Sequence, residues 1–408
     1  MESVQCDYSV ECAGSTSEQF VVLEERFRLQ QPCRLYVPNS GTQLYTLMEW
    51  KNSTVMLYGP GKAQIEDTPE PEITEPTDAI VRIKYIGVHF WNHGGVNGKY
   101  VSESQPLSMG HEASGTIHAV GPAVTQLKPG DNVAIEPGRP CRSCVRCKEG
   151  LYNLCPDMKF AACPPDNPGC LAKYFKIPAD FCYKLPPGIS LPEGVLAEPL
   201  AVAAHAVRMV GIKPGDSVVI FGSGTIGLLC GAVAKLFGAK KVVAVDVLEH
   251  KLEFAKSFNN SNTFKPDMGA TPEDNAAKII AENDLILGAD AVIEASGAES
   301  SIVTAVHVLR PGGSFVQTGL GKPMINFPIV TMSEKELHMH GAFRYNAGDY
   351  QVAMDVLEAG TIPVKRLITK TFDFEHATDA WEETKQGRGI KNMIRGYGYG
   401  DPTRAAHL

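Results

Sequence analysis

From Ala79 to Ile86 the chain reads Ala-Ile-Val-Arg-Ile-Lys-Tyr-Ile, with apolar and polar positions close to alternation, which predicts a strand with one face buried. A shorter run, Thr54 to Tyr58, predicts another strand ahead of the turn Gly59-Pro60-Gly61, and the prolines at 69, 71 and 76 make Thr68 to Thr77 a loop. Short strand-like runs broken by Gly and Pro continue to about residue 190, the pattern of a β-rich domain. Near residue 200 the period changes. Pro214 to Phe221 predicts a buried strand and Gly222 to Leu236 a helix. Lys241 to Asp246 follows as a second strand and His250 to Phe258 as a charged helix. Ala289 to Glu294 and Gly313 to Thr318 are further strands with a helical stretch between them. Strands alternating with helices imply an α/β fold with a doubly wound parallel sheet. Residues 345–396 hold too little apolar pattern for a third core and are expected to complete the first domain. Residues 1–52 show no sustained period and are expected to be a disordered extension. The expected division is therefore 1–52 outside the fold, 53–203 with 345–408 as the β-rich domain, and 204–344 as the parallel-sheet domain.

Composition narrows the class without changing this picture. The 408 residues are 44% hydrophobic and 21% charged, ordinary for a globular chain of two or three domains. A net charge of -8 with no run of Lys or Arg argues against nucleic acid or an anionic membrane as the main partner. No apolar stretch approaches the roughly 18 residues that span a bilayer. The N-terminus has no basic patch followed by an apolar run, so a cytoplasmic protein is expected. The C-terminal Ala406-His407-Leu408 has only a loose likeness to a peroxisomal address.

Eleven cysteines in such a chain read as thiols and metal ligands rather than as a disulfide framework. Cys141, Cys144, Cys147 and Cys155 form C-x2-C-x2-C-x7-C, a spacing that lets four thiolates converge on one Zn2+ with no open position. An iron–sulfur cluster can use four thiolates too, but nothing else in the sequence suggests electron transfer. Cys163, Cys170, Cys182 and Cys230 read as buried small hydrophobes.

Gly222-Ser-Gly224-Thr-Ile226-Gly227 follows one predicted strand and opens a helix, the setting in which G-x-G-x-x-G brings backbone against a pyrophosphate. Asp246 ends the next strand about 20 residues on, where a carboxylate accepts from a ribose 2′-OH and repels a 2′-phosphate, so NAD is favoured over NADP. Lys251 lies close enough to soften that preference. Taken alone, His111-Glu112, Glu198, His89 and Arg344-Tyr345 carry no signal beyond that of ordinary structural pairs.

In order along the chain stand Gly110-His-Glu-Ala-Ser-Gly115, the four cysteines, Tyr152-Asn-Leu-Cys-Pro156, Phe181-Cys-Tyr-Lys-Leu-Pro186, Glu198-Pro-Leu200, the glycine loop and Phe343-Arg-Tyr345. Over residues 53–396 this series resembles the medium-chain zinc dehydrogenases of the sorbitol and xylitol type. The resemblance implies a GroES-like catalytic domain beside a Rossmann domain, NAD and zinc as cofactors, and a small polyol, xylitol above others, as substrate. It makes His111 a catalytic zinc ligand with Glu112 beside it and Glu198 reached directly or through water. Arg344 and Tyr345 would line the polyol site, and His89 would match the histidine of a proton relay. A homo-oligomer, tetramer or dimer, is implied as well.

One departure stands out. In that family the strand ending near Ile86 runs into a Gly-Ile-Cys-Gly-Ser-Asp-Val-His turn, whose Cys ligates zinc and whose Ser begins the relay. This chain reads Tyr85-Ile-Gly-Val-His-Phe-Trp91, with no cysteine between Cys33 and Cys141. Catalytic zinc normally has three protein ligands. Two readings therefore compete, an NAD-dependent polyol dehydrogenase and a catalytically impaired dinucleotide-binding protein; one expectation for the rebuilt turn is that His89 swings in as a substitute ligand.

Overall fold

The computed structural model describes residues 52–89, 101–259 and 261–399, together with the backbone of Phe20–Val22 and Arg34–Tyr36. Those two short strands pair antiparallel within a separate unit, Met1–Trp50; all that follows concerns the unit Lys51–Leu408. The remainder of the predicted extension and Ala406-His407-Leu408 lie outside the described residues.

Six strands form one parallel sheet: Ser217–Phe221, Lys241–Val245, Asn262–Phe264, Ala289–Glu294, Leu309–Gln317 and His338–Gly341. Numbered along the chain they lie in the order 3-2-1-4-5-6, so the sheet reverses direction of winding between the first and fourth strands. Both faces are covered, and the alternation of side chains shows it. Val218, Ile220, Val242, Ala244 and Ile293 enter one buried cluster, whereas Val219, Phe221, Val243, Val245 and Val292 enter another on the opposite face. The first cluster receives the helices Ala197–Val210 and Thr225–Leu236; the second receives Pro272–Glu282 and Glu299–Val308.

A second, seven-stranded sheet is mostly antiparallel. Its long strand Asp78–Gly87 pairs with Ala113–Val120, Tyr174–Pro178 and the late strand Lys391–Arg395, which in turn pairs in parallel with Ile368–Phe372. Residues far apart in the chain thus meet at the end of Asp78–Gly87.

The helix Ala197–Val210 crosses between the two sheets. It is apolar on nearly all sides and rich in alanine, which lets backbones approach closely, and it stops at Gly211 in the left-handed conformation. Asp349, fully buried, accepts from His205 Nδ1 at 2.8 Å and pairs with Arg208, tying this helix to the helix Asp349–Ala359.

Candidate active site

Gly87 ends one strand and Glu112 precedes its neighbour, the Gly87 N–H donating to the Glu112 carbonyl at 2.8 Å. That register brings His111 and Glu112 to the edge of the antiparallel sheet, where the first turn of Ala197–Val210 delivers Glu198. One ligand atom from each of His111, Glu112 and Glu198 lies within 4.8 Å of the others, and all three residues are buried. Burial pushes the Glu198 carboxyl up to about 8, the Glu112 charge adds to this, and Lys391, Tyr345 and Arg344 pull the other way. Burial also holds the His111 imidazole well below its ordinary value, helped by His89, Lys391 and Arg344. One imidazole and two carboxyl groups, all buried and converging on one point, are a donor set that suits a divalent cation, and Zn2+ takes both nitrogen and oxygen ligands.

Arg344 closes one side. Its backbone is left-handed, φ 57°, and its guanidinium lies 3.7 Å from the Phe160 ring centroid. The Phe160 ring is in turn 5.6 Å from that of His111. Tyr345 is buried next to Glu198: its hydroxyl acts on the Glu198 carboxyl, although it makes no hydrogen bond of normal geometry among the described residues. An unsatisfied buried hydroxyl beside a metal donor set marks a place for a polar ligand. His89 stands apart from the converged trio, its ring edge-on to His111 with centroids 5.4 Å apart.

The glycine loop has the form expected of it. Gly222 adopts φ 94°, and a Cβ on Gly227 would lie 1.7 Å from the Gly222 carbonyl oxygen, so the helix can seat on the strand only with glycine there. A Cβ on Gly224 would meet nothing within 4 Å, leaving that backbone open to a ligand. Asp246 accepts from the Ser223 N–H at 2.7 Å and the Leu248 N–H at 2.9 Å. It lines a pocket of about 360 Å³ with Gly222, Val247, Asn275, Ser296 and Thr304. Ile226 packs on the core beneath the loop, and Lys251, in the first turn of Glu249–Asn259, is not among the residues lining the pocket.

The four cysteine sulfurs also lie within 4.8 Å of one another. Cys144 and Cys147 Sγ are 3.5 Å apart and Cys141 and Cys147 Sγ 3.9 Å. A tetrahedral zinc with Zn–S near 2.3 Å requires about 3.8 Å between sulfurs, so the lobe fits the ion closely. Backbone N–H groups of Cys144 and Cys147 point at Cys141 and Cys144 Sγ, at 3.3 and 3.5 Å.

Residues 75–187 match the alcohol dehydrogenase GroES-like domain and residues 225–359 the zinc-binding dehydrogenase domain. D-xylulose reductase A of Aspergillus niger is 50% identical over 85% of this chain and 97% of its own length. Among solved structures, an Escherichia coli oxidoreductase of unknown specificity is 32% identical with a TM-score of 0.77, covering 85% of this chain and 99% of that one. An Escherichia coli alcohol dehydrogenase complexed with NADH is 25% identical with a TM-score of 0.76, covering 84% and 99%. The chain belongs to the zinc-binding dehydrogenases.

As a zinc-binding dehydrogenase the chain takes zinc and NAD as its cofactors, and its α/β fold of GroES-like and Rossmann parts is the family's. The relatives do not favour the catalytically impaired alternative. In the dehydrogenase's cleft, sequence reasoning overlooked Lys391. Its ammonium, almost wholly buried, pairs with Glu112 Oε2 and donates to the Val88 carbonyl at 3.3 Å. Gly87 makes room for the pair: a Cβ there would lie 2.0 Å from Glu112 Oε2. Glu294 was overlooked as well. Its carboxylate accepts from Ser296, Gly297 and Gln317, fixing the loop opposite the glycine turn where the sheet reverses. Neither residue sits in a local motif, so only the strand pairing reveals them. Among the described residues no helix is long and apolar enough to cross a membrane.

Proposed function

We propose that this dehydrogenase oxidises a small polyol to a ketose with NAD as hydride acceptor, xylitol to D-xylulose being the favoured reaction. The observation that carries the reading is the convergence of His111, Glu112 and Glu198 within 4.8 Å of one another, with Tyr345 acting on Glu198. The half-identical relative named D-xylulose reductase supports the choice of substrate. Zinc held by His111, Glu112 and Glu198 would polarise a substrate hydroxyl, and NAD would accept the hydride. Arg344 and Tyr345 bind and orient the polyol chain, the first pinned by Phe160 and the second by its burial. Gly222, Gly224 and Gly227 seat the pyrophosphate and Asp246 the adenosine ribose.

Purified protein supplied with zinc is expected to form NADH from xylitol with a higher kcat/KM than from sorbitol. A folded sample that binds NADH and turns over neither polyol would overturn the reading. Leu320, Met324, Ile329, Val330 and Phe343 are exposed on the segments flanking the edge strand His338–Gly341 and support a homo-oligomer, dimer or tetramer, which light scattering would measure. The same reading places the enzyme in the cytoplasm; a fluorescent fusion found in peroxisomes would assign it to Ala406-His407-Leu408 instead.

A further inference from the structure

Arg344 is held by rings and a thiol. Its guanidinium rests on Phe160 and Phe343, 3.7 and 4.6 Å from their ring centroids, and meets Cys163 Sγ at 3.7 Å; no carboxylate pairs with it among the described residues. Contacts of this kind tolerate sliding, so the place of the guanidinium is set by its backbone, which is left-handed at Arg344 with φ 57°. Whatever fixes that backbone therefore fixes where the guanidinium donors point. On one side the cysteine lobe does so, the Tyr152 hydroxyl donating to the Asn346 carbonyl at 3.3 Å.

On the other side stands the fully buried carboxylate of Asp349. Its Oδ2 accepts from the Asn346 N–H at 2.8 Å and lies 2.8 Å from His205 Nδ1, while Oδ1 pairs with Arg208. Asn346 directly follows Tyr345, so one oxygen atom joins this turn to the helix Ala197–Val210. His205 comes seven residues after Glu198, two helical turns along the same face and about 10 Å down the axis. At the near end of that helix Tyr345 acts on Glu198 itself. Stability alone does not account for the carboxylate, because apolar residues of equal volume often hold a fold as well as a buried ion pair does. Apolar packing has no direction, whereas this carboxylate fixes a backbone N–H and an imidazole against a single atom.

We propose that Asp349 is a positioning residue that sets the spacing between the metal ligand Glu198 and the pair Arg344 and Tyr345, and thereby selects polyols long enough to engage both. Asp349 itself touches neither substrate nor cofactor. A polyol bound at one hydroxyl by the metal and at others by Arg344 and Tyr345 must match that spacing, whereas a short diol such as butane-2,3-diol needs the metal alone. This rests on the reading that Arg344 and Tyr345 bind the polyol.

The test compares oxidation of xylitol and butane-2,3-diol by zinc-loaded protein, with NADH fluorescence titration and metal content as measures of a sound fold. Asp349→Asn keeps the size of the side chain and removes its charge. It is expected to raise KM for xylitol about 10- to 100-fold, the range for one charge-assisted hydrogen bond, with kcat within about threefold of wild type. NADH affinity, metal content and kcat/KM for butane-2,3-diol are expected to stay as they are. In an Arg344→Ala background the same substitution is expected to add less than about threefold, because it acts through that turn. Should Asp349→Asn not fold, Arg208→Gln, which removes only the half-exposed arm of the network, carries the same expectations. The proposal is overturned if KM for xylitol does not change, if both substrates lose kcat/KM equally, or if the loss is undiminished beside Arg344→Ala. Arg344→Ala with the wild-type KM for xylitol would instead overturn the polyol reading, and this proposal with it.

Discussion

Glu112 and Lys391 are each almost wholly buried, and water cannot screen either if its partner is removed. Lys391→Met is therefore expected to destabilise the fold by about 3 to 5 kcal/mol, whereas adding Glu112→Gln to it restores much of the loss. Urea unfolding of the two variants measures the difference, and equal stability of both would contradict the pairing. Glu136 offers a pH-dependent counterpart. It accepts from Tyr183 at 2.9 Å and from Tyr152, yet burial still pushes its carboxyl from 4.5 up to about 7. The native state then holds a proton that the unfolded chain releases at lower pH. Glu136 therefore draws stability down as pH rises from about 4.5 through about 7. Glu136→Gln should flatten the fall of the thermal midpoint across that window; an unchanged slope would refute the assignment. Neither Lys391 nor Glu136 was legible in the sequence, since a buried ion is defined by distant strands and not by its neighbours in the chain. The cysteines and the glycine loop were legible because their chemistry is packed into a few consecutive residues.

Among the elements, the cysteine lobe does more than close on itself. Asn153 donates to the Phe343 carbonyl at 2.8 Å, and the Ala347 N–H donates to the Gly150 carbonyl at 3.0 Å. The lobe thus grips the turn that presents Arg344 and Tyr345. Asn153→Ala is expected to raise KM for xylitol by up to about tenfold with NADH affinity unchanged, the worth of one hydrogen bond. A change in NADH affinity of the same size would point to general unfolding instead. On the other sheet, Gly227→Ala should abolish NADH binding, because its methyl group would fall 1.7 Å from the Gly222 carbonyl oxygen; retained binding in a titration would show that the helix can shift. Four strands of the parallel sheet could be read from their apolar runs; Asn262–Phe264 and His338–Gly341, short and polar, could not. The helix Ala197–Val210 could not, being buried on nearly every side and so lacking the one-sided period that betrays a surface helix.

For the molecule as a whole, both cofactor sites sit where strands end: the nucleotide crevice where the parallel sheet reverses, the metal cleft at the edge of the antiparallel one. Binding at either stabilises the folded state, and NADH at 100 times its dissociation constant should add about 2.7 kcal/mol. Asp246→Ala should lower that gain at fixed NADH, as calorimetry would report. The division of the chain into two kinds of sheet was legible from the change of period near residue 200. The way residues 87, 112, 198, 344 and 391 meet was not. The late strand has a consequence for biosynthesis. A ribosome delivers His111, Glu112 and Glu198 well before Lys391, so a growing chain holds Glu112 without the ammonium that pairs with it. Completion of the cleft awaits the far end of the polypeptide, which supplies both the ammonium and a strand of the sheet that carries His111 and Glu112.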